Sequence, residues 1–127
     1  MDANVSWLLE VAVKPGQLEP FRALMAEMVE STLAEPGAEI YEWFVSDDGG
    51  VVHLYERFAD SAAVLVHAAT FGETFAARFM AAVDPTRMTV MGSPSDEARA
   101  ALSRSGPTFL GPFGGFAREF CVGIALP

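Results

Sequence analysis

The chain is poor in several things at once. Its 127 residues hold one cysteine, Cys121, two histidines, His53 and His67, and one lysine, Lys14. A single cysteine excludes an intramolecular disulfide and suits a reducing compartment, so a cytoplasmic protein is expected. The formal net charge is −9. That leaves no cationic patch for a nucleic acid or an anionic membrane surface. No apolar run approaches the roughly 18 residues a bilayer-spanning helix needs. The start, Met1-Asp2-Ala3-Asn4, is acidic and lacks the basic region of a secretion signal. Catalytic signatures are scarce too. There is no Gly-x-Ser-x-Gly elbow and no Cys-x-x-Cys pair, and two histidines so far apart make a weak metal site. Gly111-Pro112-Phe113-Gly114-Gly115-Phe116 lacks the lysine and the strand–loop–helix setting of a phosphate loop.

What is present is apolar. Hydrophobic residues make up 51% of the chain and ten are Phe. A chain of this size buries roughly two-thirds of its unfolded surface, enough for one domain with a core of its own. Val5 to Val13 is rich in β-branched residues and reads as a strand. Lys14-Pro15-Gly16 turns the chain. Leu18, Phe21, Leu24, Met25, Met28, Val29 and Leu33 follow at helical spacing, up to a stop at Pro36-Gly37. Glu39 to Val45 and Val51 to Phe58 are strands joined by the turn Asp47-Asp48-Gly49-Gly50. Asp60 or Ser61 caps a second helix with the stripe Val64, His67, Ala68, Phe71, Phe75 and Phe79, which Gly72 bends or splits. Asp84-Pro85 closes it, and Met88 to Met91 is a fourth strand. The order β-α-β-β-α-β is the ferredoxin-like plan, an α+β fold on an antiparallel sheet.

Residues 1–92 make up that unit, and residues 93–127 form an extension packed on it or on a partner subunit. Ser93-Pro94-Ser95-Asp96 starts a short third helix reaching about Arg104. From Gly106 the chain is a Phe- and Gly-rich arm, poor in regular structure and expected to lie over a surface.

The strands are apolar on both faces. Val5, Trp7, Leu9, Val11 and Val13 share one face of the first strand, yet Leu8 and Ala12 lie on the other. Tyr41, Trp43 and Val45 oppose Ile40 and Phe44; Val52, Leu54 and Phe58 oppose Val51 and Tyr55. Two helices cover one face only. An identical sheet is the simplest cover for the second, which points to a sheet-to-sheet homodimer. The alternative is that the Phe-rich arm covers it within one chain.

His67 is the sharpest candidate for chemistry, because an imidazole can give or take a proton near neutral pH. A lone histidine on an apolar stripe also serves as a satisfied core residue. Glu56 shares the helix-facing side with Leu54 and Phe58, so burial raises its pKa or forces a partner on it. That partner is either His67 or an arginine such as Arg57 or Arg78. Glu10 poses the same question on the first strand. His53 points to the opposite face and reads as structural. Tyr41, Trp43, Phe71 and Phe75 are candidates to line a pocket for a flat aromatic ligand, together with Trp7 and Phe79.

With these residues the chain resembles the antibiotic biosynthesis monooxygenase family of dimeric α+β barrels, which includes quinol monooxygenases. The matching features are Val13-Lys14-Pro15-Gly16, Glu35-Pro36-Gly37, Tyr41, Glu56 with Phe58 and Asp60, and Ala63 four residues before His67. They span about residues 5 to 91. The resemblance implies two sheets packed into a barrel and a cavity between the sheet and helices of each subunit. It also implies oxidation of a small phenolic, quinol or polyketide-like aromatic compound by dioxygen, without metal, flavin or other cofactor. In that reading His67 is the base or hydrogen-bonding group, Glu56 orients it, and Tyr41 lines the cavity. Relatives often carry a second histidine where this chain has Gly72. The haem-degrading branch uses an asparagine, a tryptophan and a histidine where Leu9, His67 and Ala77 stand here, so haem degradation is not expected. Two other functions remain open. One is a non-oxidative acid–base enzyme acting on a small carbonyl compound, with Arg57, Arg78 and Arg87 available for a phosphorylated substrate. The other is a non-catalytic ligand-binding dimer.

Overall fold

The computed structural model describes residues 3–118; Cys121 and the end of the arm lie outside them. The first strand, β1 (Val5–Val13), leads into helix α1 (Leu18–Leu33). Strands β2 (Ala38–Val45) and β3 (Val51–Phe58) form the hairpin. Helix α2 (Ser61–Thr70) passes through a π-helical turn (Phe71–Phe75) into α3 (Ala76–Ala82). Strand β4 (Val83–Gly92), helix α4 (Asp96–Ser103) and a short strand β5 (Thr108–Leu110) complete the order. The sheet runs β2-β3-β1-β4-β5. The first four strands pair antiparallel, and β5 adds parallel to β4. This is the α+β ferredoxin-like fold, with a mixed sheet where an antiparallel one was expected.

Local chemistry accounts for the boundaries. The Asp60 carboxylate accepts from the Ala63 amide at 2.9 Å and so caps α2. Ser95 caps α4 in the same way, and its own amide donates to Ser61 Oγ at 2.8 Å, which ties the starts of α4 and α2 together. Helix α1 stops at Leu33, ahead of Pro36-Gly37. Leu33 is 84% exposed, whereas the polar Thr32 is buried. The apolar stripe therefore leaves the core one residue early, and Thr32 turns inward beside Tyr41. The π-helical turn takes one extra residue and divides the second helix at the Gly72 region.

Two expectations at the C-terminal side change. Asp84-Pro85 does not end a helix outside the sheet; it lies inside β4, where the β1 pairing skips a residue between Arg87 and Pro85. The bulge there accommodates a proline with no N–H to donate. The segment after Gly106 is not wholly irregular either, since Thr108–Leu110 pairs with Thr89–Met91. Beyond Leu110 the arm does not lie over its own sheet: Phe113 is 107% exposed and Phe116 84%.

The core forms two adjoining clusters on the helix side of the sheet. One gathers Val11, Phe21, Leu24, Met28, Leu54, Phe75 and Phe79 under α1 and α3. The other gathers Val5, Trp7, Phe58, Val64 and Val90 with Ala98 and Leu102 of α4. The extension thus contributes side chains to the main core. The opposite sheet face carries Leu8, Ala12, Tyr55 and Met91, all partly exposed, and Val51, 42% exposed. At the β2 edge Phe44 is 57% exposed. No element among the described residues covers that face.

Helix α2 reaches the sheet because Gly37 has no side chain. A Cβ built there would run into the Ala63 methyl group. Gly37→Ala is expected to destabilise the protein by about 1–3 kcal/mol, the usual cost of overpacking. The added Ala63→Gly should recover much of the loss, read as urea midpoints of the two single variants and the double variant.

Candidate active site

Strand β3 alternates cleanly, so Val52, Leu54, Glu56 and Phe58 face the helices and are buried. Glu56 is 4% exposed. It meets neither Arg57 nor Arg78. One carboxylate oxygen accepts from the Trp7 indole N–H at 2.7 Å, and the other lies 3.2 Å from His67 Nε2. Trp7 is the cross-strand neighbour of Glu56 on β1, which explains why those two meet.

His67, 8% exposed, projects from the buried side of α2. Its second nitrogen, Nδ1, is 3.1 Å and 3.2 Å from the two carboxylate oxygens of Glu35. The imidazole is therefore clasped between two carboxylates, one on the α1–β2 connection and one in the middle of the sheet. Rings pack around it. Phe58 is 4.7 Å away, Tyr41 5.6 Å edge-on, and Trp7 6.3 Å, centroid to centroid. Burial by itself would lower the His67 pKa, but the hydrogen bond and charge of Glu56, joined by those of Glu35, outweigh it and raise the value above the ordinary 6.5. The pairing therefore favours the imidazolium, the form that can donate from both nitrogens. The Tyr41 phenol moves far above its ordinary range, because it is buried and faces the Glu56 and Glu35 charges; a hydrogen bond with Thr32 opposes this. Tyr41 stays neutral.

Glu35 was missing from the expected site. It follows α1 in a connection with no periodicity, so no sequence pattern marks which way it points. Its only signal was its place in the Glu35-Pro36-Gly37 motif. Of the expected ligand-contacting residues, Tyr41 touches the imidazole, and Trp43 packs edge-on to Tyr41 at 5.7 Å. Phe75 lies in the core and Phe71 packs against it, edge-on to Phe79 at 5.3 Å. Gly72, where the resemblance implied a second histidine in relatives, faces open space. Glu10 lies on the uncovered sheet face and pairs with its cross-strand neighbour His53 at 3.4 Å. The arginines do not converge: Arg57 joins Glu39 and Asn4, Arg78 joins Glu27, and Arg87 approaches Glu10. Among the described residues no group of three or more histidine, cysteine or acidic side chains has the arrangement of a metal site.

Two surface clefts lie apart from the imidazole. One of about 420 Å³ is lined by the Val13–Gly16 turn and the Asp48–Gly50 hairpin. The other, about 160 Å³ and largely apolar, lies between α1 and the end of β2 and includes Phe21, Arg22, Met25, Trp43 and Val45. The buried Trp43 indole N–H has no hydrogen-bond partner among the described residues.

A ferredoxin-like sheet with a buried histidine–glutamate cluster between it and its helices defines a class of small α+β domains. The family model described as antibiotic biosynthesis monooxygenase matches residues 5–77, more than half the chain, and the protein belongs to that family. The chain is 30% identical over 105 residues to Rv0793 of Mycobacterium tuberculosis, covering 79% of this chain and 100% of that one. Its structure is similar to that of MupZ from Pseudomonas fluorescens, with a TM-score of 0.81, 25% identity, and coverage of 93% of this chain and 91% of the other. The fold is also that of SnoaB, a cofactor-independent oxygenase from Streptomyces nogalater, with a TM-score of 0.63 at 15% identity and coverage of 75% and 96%.

The raised pKa has a defined consequence for stability. The folded state prefers the imidazolium, so the contribution of this pairing is complete below about pH 6.5, the ordinary value. It is lost as pH rises through the higher folded value. Urea midpoints measured over that interval should fall for the wild type relative to His67→Gln. Parallel curves would mean that the ring does not hold its extra proton.

Proposed function

We propose that the protein is a cofactor-independent monooxygenase acting on a small phenolic, quinol or polyketide-like aromatic compound. The observation that supports this most is the buried Glu35–His67–Glu56 cluster in a chain of this family. Rv0793 bears the name of a candidate monooxygenase, and the fold recurs in SnoaB. In this reading the Glu35–His67–Glu56 cluster is the base and takes up one proton. The substrate hydroxyl supplies it. The resulting phenolate passes an electron to dioxygen, and the radical pair joins at a ring carbon as a peroxide. The peroxide takes the proton back from the cluster, and loss of water leaves the quinone, so one oxygen atom enters the product and the other leaves as water. The substrate itself provides the electrons. His67 aligns the two carboxylates, the cluster holds the proton, and neutral Tyr41 offers a hydrogen bond to the substrate oxygen.

The active form in this reading is a dimer. The uncovered face with Leu8, Tyr55, Met91 and Phe44 packs on the same face of a second copy, giving an isologous sheet-to-sheet interface. Sedimentation at micromolar concentration should show the dimer, and Tyr55→Arg, in the middle of the face, should yield folded monomer.

The upward shift of the His67 pKa, with a carboxylate at each ring nitrogen, favours a second reading, a non-oxidative acid–base enzyme on a small carbonyl compound with the imidazolium as general acid. Oxygen decides between the two. Under the first reading, an electrode records about one dioxygen consumed per substrate from a phenol and hydroquinone panel. His67→Ala and Glu56→Gln should each lower kcat by at least about a hundredfold, the contribution of a positioned proton-transfer group. Turnover that persists without oxygen establishes the second reading. Equal rates in wild type and His67→Ala remove the cluster from the mechanism.

A further inference from the structure

We propose that the cleft between α1 and the end of β2 binds a small neutral aromatic molecule carrying an acceptor oxygen, such as an aryl ketone, with the Trp43 indole N–H as its hydrogen-bond donor. This site is separate from the Glu35–His67–Glu56 cluster. It depends neither on the oxygenase reading nor on the dimer.

The donor comes first. A buried N–H without an acceptor is costly and therefore uncommon. Trp43 is half-buried, and its indole N–H is closed off from solvent with no acceptor among the described residues. The other indole of the chain is satisfied, since Trp7 donates to Glu56 at 2.7 Å. Rings flank Trp43 instead, Phe21 at 5.6 Å and Tyr41 edge-on at 5.7 Å. The Tyr41 hydroxyl is itself engaged with Thr32. The fold thus leaves one donor for something else to satisfy.

The space lies beside that donor. Trp43 forms one wall of the cleft, with Phe21, Met25, Val45 and Val52 around it and a volume near 160 Å³. An apolar space of about that size takes a single benzene ring. A tilt of the indole toward it presents the N–H to an oxygen on that ring. The cleft opens on the helix side of the sheet, so packing through the opposite face leaves it free. Charge narrows the ligand further. Arg22 is the one charged side chain of the lining, and its Nε lies 3.4 Å from Glu19 with both side chains more than half exposed. Nothing at the depth of the indole balances a carboxylate, whose burial would be costly. The acceptor is therefore neutral, and the Arg22 guanidinium is placed at the rim for a cation–π contact with the ring. Trp43 and Tyr41 stand between the cleft and His67, so a molecule seated there does not touch the imidazole.

The test is a titration of the full-length chain labelled with ¹⁵N-tryptophan. Two indole N–H signals are expected, from Trp7 and Trp43, and the Trp43→Phe variant tells them apart. The probes are acetophenone and α-methylstyrene, which has the same shape with a methylene group in place of the oxygen. Acetophenone should bind saturably and move the Trp43 N–H proton downfield. α-Methylstyrene should bind about tenfold more weakly, the worth of one hydrogen bond to a donor otherwise left unpaired. Trp43→Phe keeps a ring in the wall and removes the donor, so the two probes should then bind alike. Met25→Trp, which fills the cleft, should abolish binding of both, with an unmoved Trp7 signal reporting an intact fold. Equal affinity of the two probes for the wild type, or a Trp43 signal that does not respond to acetophenone, overturns the site.

Discussion

An imidazole kept away from water between two carboxylates organises the centre of this molecule. Burying His67 in an aromatic setting is tolerable only because each ring nitrogen faces a carboxylate. The three groups come from three places, the α1–β2 connection, β3 and α2. Satisfying the imidazole therefore sets how those elements approach one another. Trp7 adds the fourth, β1, by donating to Glu56. Low local dielectric strengthens every bond in such a network and equally raises the cost of removing one partner. Gly37 and Ala63 belong to the same arrangement, because their close approach lowers α2 to the depth at which His67 lies between the two glutamates.

The two faces of the sheet have different roles. The helix side is filled by two continuous clusters, and α4 of the extension closes the end where Trp7, Phe58 and Val64 meet. MupZ matches this chain over 93% of its length, so most of the region after residue 92 has a counterpart there, whereas the SnoaB match covers 75%. The other face is apolar but left half open, with its most exposed large side chains at the β2 edge.

Much of the site was legible before the structure. Period-two alternation placed Glu56 beside Leu54 and Phe58, and period-3.6 spacing put His67 on the stripe of Val64. Those two patterns suffice to bring the residues to one interior. Glu35 escaped, since a residue in an aperiodic connection has no face to be assigned to. Thr32 escaped for the opposite reason: the periodicity favoured Leu33, and only the neighbouring Tyr41 makes a threonine worth burying there. Strand β5 is three residues long and pairs with β4 alone, too short for any alternation to show.

Composition and hydrophobic periodicity were enough to define the ferredoxin-like order, the apolar second face and the histidine in the interior. These depend on the repeat of side chains along each element, which is written locally. The second carboxylate on His67, and with it part of the upward shift of the ring's pKa, depended on groups distant in the chain arriving within hydrogen-bond range. So did the route of the arm away from its own sheet. Such contacts arise only when strand order and register set the distances between elements, and no local pattern encodes those distances.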